Sequence, residues 1–237
     1  ETVPDFTTVW KVRERLKEAG VEQEIWSELQ RQLNSLGYKM KKGVIQDASF
    51  IEADLGRKRY FKEKKAKEEG KSIAYSEKQL NHIDKDGSFS VKHGQVHYGY
   101  KNHLKLDCGF GLIRSVAVTT ASWHDSKIDL VRKGDEVAYR DKGYVGTELV
   151  KGVRDMTMKR ATKARKLNGG EQKRNKAISR VRAPGERPFS VIKRVFNGGR
   201  TLVKTLKRVS IKEVFKAFGF NLYQLVTLKR KQLAAAT

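Results

Sequence analysis

Apolar positions recur at helical spacing at the start of the chain and switch to a strand pattern near Gly43. Val9, Val12 and Leu16 predict a helix over 8–19 that ends at Gly20, and Ile25, Leu29, Leu33 and Leu36 predict a second ending before Gly37. Together they form a helical hairpin. Val44, Ile45, Ala48, Phe50 and Ile51 then make a short apolar run rich in β-branched residues and broken by one acid, Asp47, which predicts a buried strand. Residues 56–94 hold few aliphatics and a mixed Lys and Glu run over 58–71, with turn residues at 84–88, and read as a mobile or edge connection. Strands over 96–106 and 112–119 form a hairpin around Asp107, Cys108, Gly109, Phe110 and Gly111. A helix is expected beyond the 120–126 loop, then a short strand over 136–139 running into Arg140, Asp141, Lys142 and Gly143. The block 151–182 has helical stretches with a break at Gly169 and Gly170. Ser210 and Glu213 match a capping box ahead of a packing helix that carries Val214, Phe215, Phe218, Leu222, Leu225 and Val226 along one face. This order suits an α/β domain with helices on the faces of a sheet.

Composition adds constraints rather than chemistry. The 237 residues, 38% of them hydrophobic, suffice for one large domain or a core domain with an appendage. No run approaches the roughly 18 apolar residues of a membrane span and the N-terminus lacks an apolar signal core, so the expectation is a cytoplasmic protein with no membrane partner. The single cysteine, Cys108, can form neither an internal disulfide nor a cysteine-based zinc site, and reads as a small buried hydrophobe. The chain begins at Glu1, which suggests that an upstream part is absent.

Charge changes the picture. Lys and Arg number 51 against 27 Asp and Glu, a net charge of +24. The excess is concentrated: residues 1–40 carry 6 basic and 7 acidic side chains, whereas 151–210 carry 19 basic and 3 acidic. A basic face of this kind expects a polyanion, and nucleic acid is the commonest, because each phosphate neutralised releases condensed counterions.

Three acids stand in unusual places: Asp47 inside an apolar strand, Asp141 at a strand end, and Glu186 in Pro184-Gly185-Glu186-Arg187-Pro188. A buried carboxylate is costly without a cation or strong hydrogen bonds nearby, and hard oxygen ligands on separate elements suit Mg2+ or Mn2+. Salt bridges or helix caps are the plainer alternative for each acid. His97, His103 and His124 lack the tight spacing of a zinc site and read as core or phosphate contacts. Trp123, in a polar loop before His124, either stacks on a base or packs on the domain. Lys101, Arg114 and Lys142 are candidate phosphate contacts at strand ends, while Gly143 and Gly146 serve a tight turn.

The segments Val44-Ile45-Gln46-Asp47-Ala48-Ser49-Phe50-Ile51-Glu52-Ala53, His97-Tyr98-Gly99-Tyr100-Lys101, Trp123-His124-Asp125-Ser126, Tyr139-Arg140-Asp141-Lys142-Gly143-Tyr144 and Arg182-Ala183-Pro184-Gly185-Glu186 resemble, in order and spacing, the DDE transposases of bacterial and archaeal insertion sequences. Pro4-Asp5, Thr7-Thr8 and Arg13 extend the likeness upstream. The resemblance implies an RNase H-like mixed sheet flanked by helices (41–228), preceded by a short helical segment (1–40) ending an N-terminal domain and followed by a basic tail (229–237). It implies that Asp47, Asp141 and Glu186 hold two Mg2+ ions, for which Mn2+ substitutes, and that the protein cuts transposon ends and joins their 3′-hydroxyl to target DNA. The implied partner is double-stranded DNA in the nucleoid, bound by a homodimer, with no small-molecule substrate. Lys101, Arg114, Trp123, His124, Lys142, Lys159, Arg160, Arg174, Arg180, Arg182, Arg187, Lys193 and Arg194 are the candidate DNA contacts. The family also carries a tyrosine, arginine, glutamate, lysine signature. Arg182, Glu186 and Lys193 keep its last two spacings, while Ser179 stands at the tyrosine position. If a helix starts at Glu186, Lys193 falls two turns along the same face, with Pro188 in the first turn. A catalytically inactive DNA-binding derivative and an RNase H-like nuclease are the alternatives.

Overall fold

The computed structural model describes residues 3–40 and 42–236, so the expected domain limits at Glu1, Lys41 and Thr237 lie outside the described residues. Its centre is strand β1 (Val44–Ala53), which pairs antiparallel with β3 (Gln95–Asp107) on one side and parallel with β5 (Val137–Arg140) on the other. β4 (Ile113–Thr120) extends the antiparallel half through β3, and β6 (Arg154–Thr157) extends the parallel half through β5. Two short strands, β2 (Ser88–Lys92) against β3 and β7 (Arg200–Thr201) against β1, complete a seven-stranded sheet. A meander of three antiparallel strands continued by two parallel ones, with helices packed on it, is the RNase H-like arrangement expected from the sequence.

Helices α1 (Phe6–Ala19) and α2 (Glu22–Ser35) form the predicted hairpin, with Asp5 capping α1 through Thr8 N–H at 2.6 Å. The buried stripe of α2 is Trp26, Leu29 and Leu33, while Leu36 sits past the helix end and is exposed. That stripe enters the main core beside Leu104, Leu106, Leu112 and Ile113 of the hairpin region, Ile192 of α6 (Glu186–Arg194), and Val214, Ala217 and Phe220 of α7 (Leu206–Ala236). β4 pairs with β3 alone, and amide and indole groups bond the backbone at its start. Asn221 bonds both backbone groups of Ile113 at 2.8 and 2.9 Å, Gln30 donates to Ile113 O at 3.1 Å, and Trp26 Nε1 donates to Arg114 O at 3.1 Å.

Four expectations are corrected. Residues 56–94 carry regular structure, with an edge strand as the second of the two expectations had it: α3 (Arg57–Glu68) has no buried residue and is braced by Arg59–Glu63 at 2.8 Å, α4 (Glu77–Leu80) starts from a Ser76/Gln79 capping box, and β2 forms the sheet edge. A charged helix without an apolar stripe has no periodic signal to read. Between the 120–126 loop and β5 there is no α-helix, only a 3-10 turn over Asp125–Lys127 and irregular chain. This chain supplies acids to lysines on β3, Asp125 to Lys101 at 2.9 Å and Asp135 to Lys105 at 3.0 Å, and lays its backbone on the Gln46 amide. Gly169 and Gly170 do not break the basic block; they open α5 (Gly169–Arg182) behind an Asn168/Glu171 capping box. Ser210 and Glu213 do not cap α7, which starts earlier because Asp86 accepts from Leu206 N at 2.7 Å. Glu213 is buried inside the helix, bonded by Asn102 at 3.0 Å and by Lys216, and Phe215, Leu222 and Val226 face outward. No helix among the described residues is long and apolar enough to cross a membrane.

Candidate active site

Because β1 and β5 run parallel in the register Gln46 opposite Arg140, the next residue of each chain, Asp47 and Asp141, falls at neighbouring positions. Asp141 leaves β5 and accepts from Gly143 N at 2.7 Å, starting a 3-10 turn over Lys142–Tyr144. A Cβ on Gly143 would lie 2.9 Å from Asp141 Oδ1 and 3.8 Å from Asp125 Oδ2, so a larger residue there would shift the Asp141 carboxylate. Asp47 Oδ1 accepts from Ala48 N at 2.9 Å, and its Oδ2 takes Arg182 Nη2 from the end of α5 at 2.8 Å. Burial pushes the Asp47 carboxyl above its usual range against the pull of Arg182, and the neighbouring Asp141 charge pushes the same way.

Below these acids the packing is polar. Arg140 is fully buried, donating to Thr157 Oγ1 at 2.9 Å and Thr147 O at 3.1 Å, with its guanidinium 5.7 Å from the Tyr144 ring centre. The Tyr144 hydroxyl is buried close to the Gln46 amide without a hydrogen bond of normal geometry. Its acidity is suppressed by burial and by the charges of Asp125, Asp47 and Asp141. His103 lies under the same region, bonded to Thr119 Oγ1 at 2.9 Å, and burial lowers its pKa to about 4. The three histidines are apart: His97 stacks on Phe50 at 4.2 Å and bonds Glu52, and exposed His124 caps its own turn through Ser126.

Glu186 opens α6 directly, so Pro188 does fall in the first turn and Lys193 two turns on, both Glu186 and Lys193 being exposed. Its predecessor Gly185 sits on β1, where a Cβ would meet Ile45 Cγ2 at 2.9 Å. Among the described residues no three carboxylate, histidine or cysteine groups stand close enough to grip one ion. Asp47 and Asp141 alone still fit a hard, partly hydrated divalent cation. They are oxygen donors on adjacent strands, a guanidinium already neutralises one of them, and a glycine keeps the space beside the other clear.

A cavity of about 530 Å3 opens beside Asp141, and its wall includes Lys101, His124, Lys142 and Arg160 from the candidate DNA contacts. Lys101 is nearly buried, held by Trp123 O at 2.7 Å and by Asp125. Trp123 is half exposed. Arg180, Arg187 and Arg194 are exposed on α5 and α6, and Arg187 bonds Gln224. Other candidates also make contacts within the fold. Arg114 is buried and holds Asp107 at 2.8 Å, Gln30 at 3.2 Å and Tyr38 O; Arg174 ties α5 to β6 through Thr157 O at 2.8 Å; Lys159 pairs with Glu171 at 3.0 Å. The sequence reading missed Lys92 and His93 on the cavity wall, although Lys92-His93-Gly94 between alternating residues is a hairpin signal.

An RNase H-like sheet that brings Asp47, inside β1, and Asp141, just past the end of β5, to neighbouring positions beside a basic cavity suits an enzyme that modifies nucleic acid. The chain belongs to the transposase DDE domain family, which matches residues 38–222 and which implies use of a divalent metal. It is 28% identical over 204 residues to the transposase for insertion sequence element IS1106 of Neisseria meningitidis serogroup B, a match covering 82% of this chain and 69% of that protein. No solved structure matches it.

Proposed function

We propose that the chain is the catalytic portion of a DNA transposase that cuts transposon ends and joins their 3′-hydroxyl to target DNA, with residues 41–228 as its catalytic domain. The observation that carries this reading is the placement of Asp47 and Asp141 on adjoining parallel strands beside the Lys142 and Arg160 cavity, within a chain of the DDE family. Asp47, Asp141 and Glu186 are the proposed metal ligands. Divalent cations, Mg2+ or in its place Mn2+, would supply charge neutralisation on the entering and departing oxygens of an in-line phosphodiester exchange.

The residues of the chain do the rest by position. Arg182 holds Asp47 oriented and compensates its charge before a cation arrives. Lys142 and Arg160 attract the phosphate backbone to the cavity, and Lys193 shares the exposed face of Glu186, where it can hold a further phosphate. Arg180, Arg182, Arg187, Arg194, Trp123 and His124 lie on elements that flank these acids, and the two transposon ends call for a second copy of the chain on DNA. Acting on the nucleoid, such an enzyme works in the cytoplasm.

A strand-joining assay tests the proposal. A short duplex with a free 3′-hydroxyl is incubated with supercoiled plasmid and Mn2+, and covalently joined product is expected from the wild type and lost in Asp47→Asn and Asp141→Asn. Hydrolysis of DNA without joining would replace the transposase reading with that of a nuclease. Joining that survives both substitutions would overturn the site.

A further inference from the structure

The β2–β3 hairpin is not needed by the sheet. β1 pairs with β3 only as far as Glu52 opposite Gly99, so residues 95–98 of β3 pair with β2 alone, in the register Ser88 opposite Gly99 through Lys92 opposite Gln95. A free two-stranded ribbon is marginal in water, yet this one is built to hold its shape. Its two-residue turn, His93-Gly94, has positive φ at both positions (52° and 76°), which matches the twist of the strands. At its root Phe89 packs on Tyr98 at 4.9 Å and on Tyr60 of α3 at 5.6 Å, and the Ser88 hydroxyl accepts from Ser122 N at 2.8 Å.

The ribbon carries no acidic residue from Ser88 to Tyr98 and ends in a cation, Lys92. Val91 and Val96, paired across it, are 67% and 62% exposed, so this face of the tip is open to solvent. It nevertheless reaches back to the site: Ser90, Val91, Lys92 and His93 line the same cavity as Asp141, Lys142 and Arg160. Lys92 Nζ stands 6.0 Å from the Phe50 ring centre, three residues along β1 from Asp47, and its charge is felt by the Asp47 carboxyl.

We propose that the β2–β3 hairpin is a DNA-gripping arm, with Lys92 at its tip holding the phosphate backbone of bound DNA across the cavity from Lys142 and Arg160. A braced ribbon with a cationic tip and no acidic residue suits the phosphate backbone of DNA. The inference rests on the proposed transposase reading for its ligand, and binding tests it independently of catalysis. Lys92 is exposed, so Lys92→Ala leaves the fold intact.

The experiment measures duplex DNA affinity of the full chain by fluorescence anisotropy between about 50 and 200 mM salt, without metal. Lys92→Ala is expected to weaken binding about 10-fold and to reduce the slope of log K against log salt by about 1, with Lys92→Arg restoring both. Affinity within twofold of wild type with an unchanged slope overturns the arm. Failure of the transposase reading looks different: Asp47→Asn and Asp141→Asn would retain cleavage and joining whether or not Lys92 grips DNA.

Discussion

Arg114 separates what the sequence suggests from what the fold does with it. Its guanidinium side chain is 6% exposed and its partner Asp107 is fully buried, at 2.8 Å. The same group also bonds Gln30 of α2 and the carbonyl of Tyr38, so it joins the sheet to the helical hairpin. Arg114→Gln leaves the Asp107 carboxylate with Phe110 N as its remaining hydrogen-bond donor. Removing one partner of a buried ion pair costs about 3–5 kcal/mol. At roughly 2–4 °C per kcal/mol for a chain of this size, the thermal midpoint falls by about 6–20 °C. Arg114→Met with Asp107→Asn recovers most of that loss, because neither charge is then stranded. Calorimetry of the three proteins, paired with salt titrations of DNA binding below their melting points, makes the test. A drop of under about 2 °C for Arg114→Gln, or a salt slope reduced by about 1 while the protein stays folded, would refute the structural assignment and return Arg114 to the DNA surface.

Other outcomes follow from the same geometry. The buried imidazole of His103, with a pKa of about 4 against an ordinary 6.5, contributes stability that is complete above pH 6.5 and lost as pH falls through about 4. That amounts to about 3 kcal/mol, and the stability gap between wild type and His103→Asn in urea titrations should narrow over this window; a gap constant with pH contradicts it. Leu33→Ala should cost about 2–5 kcal/mol in one cooperative unfolding transition, since Leu33 is 1% exposed in the core shared with β4 and α7; two separate transitions would show the hairpin folding alone. Lys142→Ala with Arg160→Ala should weaken binding to all DNA sequences and lower the salt slope by about 2, whereas Lys159→Ala, whose ammonium is already on Glu171, should change it less.

What was legible in the sequence is what has a period or a punctuation mark. The apolar run around Asp47 and the glycine loop between β3 and β4 announced the sheet, and of the helical stripe Ile25, Leu29, Leu33 and Leu36 the two middle leucines are buried, joined by Trp26, while Leu36 falls past the helix end. α3 could not be read that way because its helix rests on ion pairs such as Arg59–Glu63 rather than on a buried stripe. Pairings across the chain were equally hidden. Lys101 and Arg114 look like free cations in sequence, and only the fold brings Asp125 and Asp107 to them. The start of α7 was misplaced for the same reason, its cap coming from Asp86 on a distant loop. At the site, strand register brings Asp47 and Asp141 to neighbouring positions, which no spacing along the chain shows, while the hairpin tip that shares the cavity carries no motif beyond a turn.

The account stands or falls on whether Asp47 and Asp141 hold a divalent cation. Anomalous diffraction from crystals soaked in Mn2+ measures this directly. A peak roughly 2–2.5 Å from carboxylate oxygens of both residues, with Arg182 displaced from Asp47 Oδ2, is the predicted result. Carboxylates more than about 10 Å apart with no peak between them, or Mn2+ bound only elsewhere on the chain, would contradict it.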